Sequence, residues 1–110
     1  MTDTKRTFKQ ILSQGEDEEI SYYFSTTPWG TSPTGVSVKV FDVTDAQAKA
    51  DWDDVTASVM PTNSPSVSGN TITLSKLKSL VDAHVYRIEV KFTVPELGNC
   101  EAYGFIVAGE

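Results

Sequence analysis

The stretch from Leu80 to Val94, LVDAHVYRIEVKFTV, contains the pattern around which the rest of the chain is interpreted. From Tyr86 to Val94, apolar and polar residues alternate without a break. One face carries Tyr86, Ile88, Val90, Phe92 and Val94, and the other carries Val85, Arg87, Glu89, Lys91 and Thr93. A period of two with branched and aromatic residues on one side is typical of a half-buried strand. At about 3.3 Å per residue, this strand is expected to span roughly 30 Å and to cross the whole domain.

The residues that precede this strand resemble a known corner motif. Leu80 lies six residues before Tyr86, with Asp82 and Ala83 in the turn between them. This arrangement is similar to the tyrosine corner of immunoglobulin-like and fibronectin-type sandwiches, in which the tyrosine hydroxyl bonds to upstream backbone. Asp82 and Ala83 stand where that family usually has Pro-Gly, and Asp is also suited to a turn. The alternative interpretation is that Tyr86 is an ordinary aromatic residue of the core.

The remaining segments predict a single all-β domain over residues 1–110 with about seven strands. Short strands are predicted around residues 8–12, 20–24, 36–43, 55–59 and 72–74, and a closing strand over residues 100–107. Turns rich in proline, glycine and serine separate them, and residues 45–54 predict a brief helical turn. The pattern favours an immunoglobulin-like or fibronectin III-like β-sandwich, and a small barrel is the alternative.

Two of these strands have an inward face that the pattern leaves open. In the third strand the apolar positions change sides at Phe41, so either both faces are covered or a bulge shifts the register. In the closing strand, Ala102 and Ile106 lie on one face, while Tyr103, Phe105 and Val107 lie on the other.

Composition excludes several classes of function. The chain is 39% hydrophobic and 22% charged, as is ordinary for a globular protein, and its net charge is −6. A negative chain is a poor phosphate-backbone binder, so no nucleic acid is expected as partner. Cys100 is the single cysteine, which excludes an internal disulfide. The N-terminus lacks the apolar core of a signal peptide and no window is long enough to span a membrane, so synthesis in a cytoplasm is expected.

No group of residues predicts catalysis, and we expect the chain not to be an enzyme. His84 is the single histidine, and the many serines and aspartates make a match to a catalytic triad uninformative. His84 and Cys100 are too few for an ordinary zinc site, and Cys100 is interpreted as a space-filling residue. The acidic runs at 15–19 and 51–54 are interpreted as solvated turns, so no metal and no cofactor is predicted; calcium binding there stays open.

Three aromatic residues are candidates for a binding site. Trp29 lies in the middle of a loop rich in proline and glycine, Trp52 lies within an acidic segment, and Tyr23 lies in the second predicted strand. Aromatic rings provide apolar area for a sugar ring or an anchor for a protein interface. A planar sugar-binding platform requires all three to converge, and the alternative for Trp29 is that it caps the core.

The chain as a whole resembles the small immunoglobulin-like structural proteins of tailed bacteriophages and prophages, of the fiber–tail adaptor type. The resemblance rests on Phe8-Lys9-Gln10 leading to Gly15-Glu16, the strand Ile20-Ser21-Tyr22-Tyr23-Phe24, the strand from His84 to Val90, a turn at Gly98 and an apolar last strand. Residues 45–54 look like an insertion relative to that pattern. The resemblance implies a non-catalytic assembly module of the virion that docks on other virion structural proteins through strand edges and loops, and that is oligomeric in the particle. A carbohydrate-binding β-sandwich module is the alternative function.

Overall fold

The computed structural model describes residues 7–15, 18–44 and 48–109, and eight strands and two short helices lie within these ranges. The strands are β1 (Thr7–Gln14), β2 (Tyr23–Ser25), β3 (Thr34–Asp42), β4 (Asp53–Asp54), β5 (Ser66–Ser68), β6 (Thr71–Thr73), β7 (Val85–Val94) and β8 (Gly98–Ala108). The helices are a single 3-10 turn (Lys49–Asp51) and α1 (Thr56–Val59). The predicted all-β class is therefore confirmed. Neither helix approaches the length and apolar character that a membrane-spanning helix requires.

The strands form two sheets. The larger sheet has the order β1-β8-β7-β3-β4, and the smaller sheet has the order β2-β6-β5. All pairs are antiparallel except β1 with β8, which is parallel. Buried residues of β6, such as Ile72, belong to the same hydrophobic cluster as Val40 of β3 and Val90 of β7. One core therefore lies between the two sheets.

The β7–β8 hairpin forms the centre of the larger sheet. The alternating face predicted for β7 is buried throughout, from Tyr86 to Val94. Its large residues lie opposite small ones, since Ile88 pairs with Gly104 and Val90 pairs with Ala102. The even-numbered residues of β8 therefore face the core, which decides the question that the sequence left open. The hairpin turns at Gly98, whose φ of 83° favours glycine because it has no Cβ to clash.

The turn before β7 has the hydrogen bond that the corner motif predicts. The Tyr86 ring is 1% exposed, and its hydroxyl accepts a hydrogen bond of 2.8 Å from the Val81 N–H. Leu80, immediately upstream, is also buried. The ring fills the core while the hydroxyl satisfies a backbone donor of the turn, so Tyr86 does more than an ordinary core aromatic.

The interpretation of residues 55–59 as a strand is wrong, because Thr56–Val59 forms α1. The Asp54 carboxylate accepts hydrogen bonds from the Thr56 N–H at 3.0 Å and the Thr56 hydroxyl at 2.7 Å, which bends the chain after β4. The segment predicted as a loop at 61–70 contains β5, which pairs with β6 across the Gly69–Asn70 turn. The loss of the predicted strand at 55–59 and the presence of both β4 and β5 change about seven predicted strands to the eight that the described ranges contain.

Both faces of β3 are covered, which was one of the two alternatives for its change of pattern. Val38 and Val40 are buried in the core, while Phe41 packs against Trp52 on the outer face with ring centroids 5.6 Å apart. The register irregularity of this strand lies earlier, between Thr34 and Ser37. The 3-10 turn accounts for part of the predicted helical turn at 45–54. Residues 45–47 of that prediction, and residues 16 and 17 of the acidic run at 15–19, lie outside the described residues.

Candidate protein-binding surface

The smaller sheet has an outer surface that carries hydroxyl groups and no charge. Its register aligns Tyr23 with Thr73 and Ser66 in one row, and Ser25 with Thr71 and Ser68 in the next. Between these rows, Phe24 and Ile72 turn inward to the core, so the six side chains of the two rows point outward. We call this surface the hydroxyl face: Tyr23, Ser25, Ser66, Ser68, Thr71 and Thr73.

The hydroxyl face belongs to two long segments without a single ionisable Asp, Glu, Lys, Arg or His. These segments are residues 20–38 and 55–75. All the Asp, Glu, Lys, Arg and His residues of a chain with net charge −6 lie outside these two segments of the sequence. This separation is visible in the sequence, but a search for catalytic and aromatic patterns missed it, because its signal is an absence of charge.

Tyr23, one of the three aromatic residues predicted to bind, is the largest exposed feature of this face. Its side chain is 74% exposed, and Val67 on the opposite edge of the same sheet is 41% exposed. A groove of about 380 Å³ is lined by Ser21 and Ser75, neighbours in sequence of β2 and β6, and by Lys76, Lys78 and Glu19. An exposed tyrosine surrounded by small hydroxyl residues provides a rigid contact area with adaptable hydrogen bonding around it.

Trp52 lies on the other sheet, in a cluster around Arg87. The Arg87 guanidinium lies 3.8 Å from the centre of the Tyr103 ring and 4.7 Å from the Trp52 ring, with Phe105 at 5.8 Å. Its Nε also donates a hydrogen bond of 2.8 Å to the Glu89 carboxylate. At these distances the cation–π attraction between the Arg87 guanidinium and the rings is significant.

This cluster corrects the prediction that the outer face of β7 is the solvated side of a half-buried strand. The side chains of Arg87 and Glu89 are 14% and 8% exposed. Aromatic residues from β8 and from the segment before β4 cover them, which the alternation within β7 alone does not reveal. Farther along the same face, Lys39 lies opposite Glu89 and Lys91 lies opposite Glu101. These opposite charges support the pairing of the strands.

Trp29, the third predicted binding residue, lies in the core. It is 6% exposed and makes edge-to-face contacts with Phe24 at 6.0 Å and Phe92 at 5.5 Å. Its indole N–H has no hydrogen-bond partner among the described residues. The position of Trp29 therefore fits the alternative interpretation, in which it caps the core. Trp29, Trp52 and Tyr23 do not converge: one is in the core and the other two lie on different sheets.

His84 is held by a carboxylate at the end of the larger sheet. Its Nδ1 lies 2.6 Å from Oδ2 of Asp42, and the Asp42 Oδ1 accepts hydrogen bonds from the Thr44 N–H and hydroxyl. Burial raises the pKa of Asp42, but the hydrogen bonds from Thr44 and the pairing with His84 outweigh it, so that the pKa is lower than usual. The Thr44 hydroxyl also accepts the Val85 N–H. The network joins the end of β3 to the start of β7.

Among the described residues, the hydrogen-bond partner of the His84 side chain is the Asp42 carboxylate. In the part of the chain that the structure describes, no serine or cysteine side chain bonds to its imidazole. Cys100 pairs with Phe92 on the same hairpin, eight residues along β7 from His84, which corresponds to roughly 25 Å. Within the same ranges, no three His, Cys, Asp or Glu side chains are grouped to hold a metal ion.

Comparison with known proteins gives no relative for this chain. No protein-family model matches it, and a search of the curated proteins finds no similar sequence.

Proposed function

We propose that this chain is a non-catalytic assembly module with an immunoglobulin-like fold, and that it docks on neighbouring structural proteins in the virion of a tailed phage or prophage. Support for the fold comes from the strand order. The immunoglobulin arrangement places strands B, E and D in one sheet and G, F and C in the other, with C′ added beside C in some domains. The orders β2-β6-β5 and β8-β7-β3-β4 correspond to these two sets, whereas β1 pairs with β8 and not with β2, where the constant-type arrangement has strand A. The Tyr86–Val81 hydrogen bond resembles the corner interaction of the same family and supports the proposal.

The observation that carries the docking role is the hydroxyl face. Charged residues are depleted in the cores of protein interfaces because their desolvation is costly, and tyrosine is enriched there. Here an uncharged surface that includes the exposed Tyr23 at its edge occurs in a chain whose net charge is −6. Such a surface loses little hydration free energy when a neighbour covers it, while the charged remainder keeps the free chain soluble.

Five of the charged or titratable side chains described above have structural partners, which is consistent with a non-catalytic role. Asp42 and His84 are paired with each other, and Arg87 is paired with Glu89. Asp54 is occupied by Thr56. The Asp42–His84 and Asp54–Thr56 interactions each join two elements of the fold, and the Arg87–Glu89 pair lies within β7, so these side chains serve the architecture that presents the hydroxyl face.

The test is co-sedimentation with particles made by the phage or prophage that encodes the chain. We expect the tagged chain to band with purified tails or virions, and the double substitution Tyr23→Lys with Thr73→Lys to leave it in the soluble fraction. Leu97→Lys is the matched control, since it adds a lysine at a 52% exposed position outside the hydroxyl face. Absence of the unsubstituted chain from intact particles would overturn the proposal. Saturable binding of a neutral polysaccharide, lost in the Tyr23→Lys chain, would favour the carbohydrate-binding alternative.

A further inference from the structure

One edge of strand β2 is not paired with any of the strands that the structure describes. On its inner side, the Tyr22 carbonyl accepts the Leu74 N–H at 2.8 Å, and the Thr26 N–H donates to the Asn70 carbonyl at 2.7 Å. Backbone groups of successive residues in a strand point to alternate edges. Ser21, Tyr23 and Ser25 therefore direct their N–H and C=O groups away from β6, and no described strand pairs with them.

The other sheet edges carry features that discourage pairing with another chain. Where β4 ends, side chains cover the remaining edge of β3. The Thr56 hydroxyl accepts a hydrogen bond from the Val40 N–H at 2.8 Å, and the Asn63 side chain donates one to the Val38 carbonyl at 2.9 Å. β5 follows directly after Pro65, and the sequence of β1 includes Lys9. Proline, charge and covering side chains are the usual means of protecting an edge. The segment from Ser21 to Ser25 has no proline and no charge.

We propose that this edge pairs with the same edge of a second copy of the chain, antiparallel about a two-fold axis through Tyr23. Tyr23 then lies opposite its own counterpart, and Ser21 lies opposite Ser25 of the second copy. Each of the three residues contributes one donor and one acceptor, so the edge is complementary to itself. The two small sheets join into one continuous sheet. This inference rests on the docking role proposed for the hydroxyl face, and it names a second copy as one of the neighbours.

A second copy is favoured over an unrelated strand because of the charge distribution. Two molecules of net charge −6 repel each other, and their contact is least unfavourable through segments 20–38 and 55–75, which have no charge. A basic partner peptide, by contrast, would be attracted to the acidic remainder of the chain and would gain nothing from an uncharged edge.

The test is the self-association of the purified chain by sedimentation equilibrium, from about 10 µM to about 1 mM, which covers the range of weak dimers. We expect a reversible monomer–dimer equilibrium, and we expect Tyr23→Lys to weaken it by at least about tenfold, because like charges then lie directly opposite. Leu97→Lys is the matched control: it adds the same charge at a 52% exposed position in the turn between β7 and β8, outside the hydroxyl face and the edge of β2. We expect it to change the dissociation constant by less than about threefold.

Amide hydrogen exchange locates the contact. In the dimer, the amides of Ser21, Tyr23 and Ser25 should become protected, and Tyr23→Lys should abolish that protection while the amides of β7 stay unchanged. A chain that is monomeric at every concentration overturns the inference, as does a dimer that leaves the three amides unprotected. An equal weakening by Leu97→Lys overturns it as well. Neither measurement involves a virion, so a failure here is separate from a failure of co-sedimentation with particles.

Discussion

At the scale of single residues, Tyr86 is the side chain whose role is most sharply defined. Tyr86→Phe keeps the buried ring and removes the acceptor of the Val81 N–H. Because Val81 lies at the surface, water replaces part of the lost bond, and we expect a loss of about 1 kcal/mol in the free energy of unfolding. Urea denaturation measures it. Tyr23→Phe is the control: it removes a hydroxyl from a ring that is 74% exposed and should cost less than about 0.5 kcal/mol. If Tyr86→Phe and Tyr23→Phe lower the free energy of unfolding equally, the corner hydrogen bond contributes nothing.

The Asp42 carboxylate gives the stability of the chain a dependence on pH. Its pKa in the folded state is lowered, since the Thr44 and His84 interactions outweigh the opposing effect of burial. A carboxyl whose pKa falls on folding stabilises the folded state above its unfolded pKa of about 3.9, and this stabilisation is lost as the pH falls through the folded pKa. We therefore expect Asp42→Asn to destabilise the chain at about pH 5 by roughly 1–3 kcal/mol, and by progressively less towards about pH 2. Denaturant unfolding at several pH values measures the difference; a difference that grows on acidification would contradict the assignment.

At the scale of elements, the pairing of Arg87 with Glu89 on the outer face of β7 is expected to contribute to the free energy of unfolding. Arg87→Met leaves a carboxylate that is 8% exposed without its partner, and we expect a loss of about 3 kcal/mol. The double substitution Arg87→Met with Glu89→Met removes both charges and should recover most of that loss. Lys91→Met, at an exposed position of the same face, is the control and should cost less than about 0.5 kcal/mol. Additive losses in the double variant would show that the two side chains act independently.

Elements that depend on their own sequence pattern could be predicted, and those that depend on neighbours could not. The alternation in β7 and the Pro95–Gly98 turn signal predicted the hairpin, because the period of a strand and the residue types of a turn are local properties of the sequence. Val55, Ala57 and Val59 also alternate, yet this segment is helical, because Asp54 binds Thr56 and turns the chain. The burial of Arg87 depends on Tyr103 and Trp52, which lie far from it in sequence.

The same distinction applies to the candidate site. Tyr23 and Trp29 were both candidates because aromatic residues can be recognised by type. Tyr23 is exposed, whereas Trp29 lies in the core between Phe24 and Phe92. Sequence alone does not tell which aromatic ring is covered. The hydroxyl face requires the register of three strands, because its rows combine residues from β2, β5 and β6. The uncharged segments that form it, however, were open to inspection in the sequence.

At the scale of the whole molecule, the separation of charge from the hydroxyl face determines how salt acts on self-association. The net charge of −6 opposes the approach of two copies, while the proposed contact through Ser21, Tyr23 and Ser25 contains no ion pair that salt would weaken. Raising the salt concentration shortens the screening length from about 20 Å at 20 mM to a few ångströms at 500 mM, so the repulsion fades and the contact persists. We therefore expect the dissociation constant measured by sedimentation equilibrium to decrease several-fold over that range. An increase would mean that ion pairs hold the dimer together, and the contact would then have to include the charged larger sheet or the turns instead of the edge of β2.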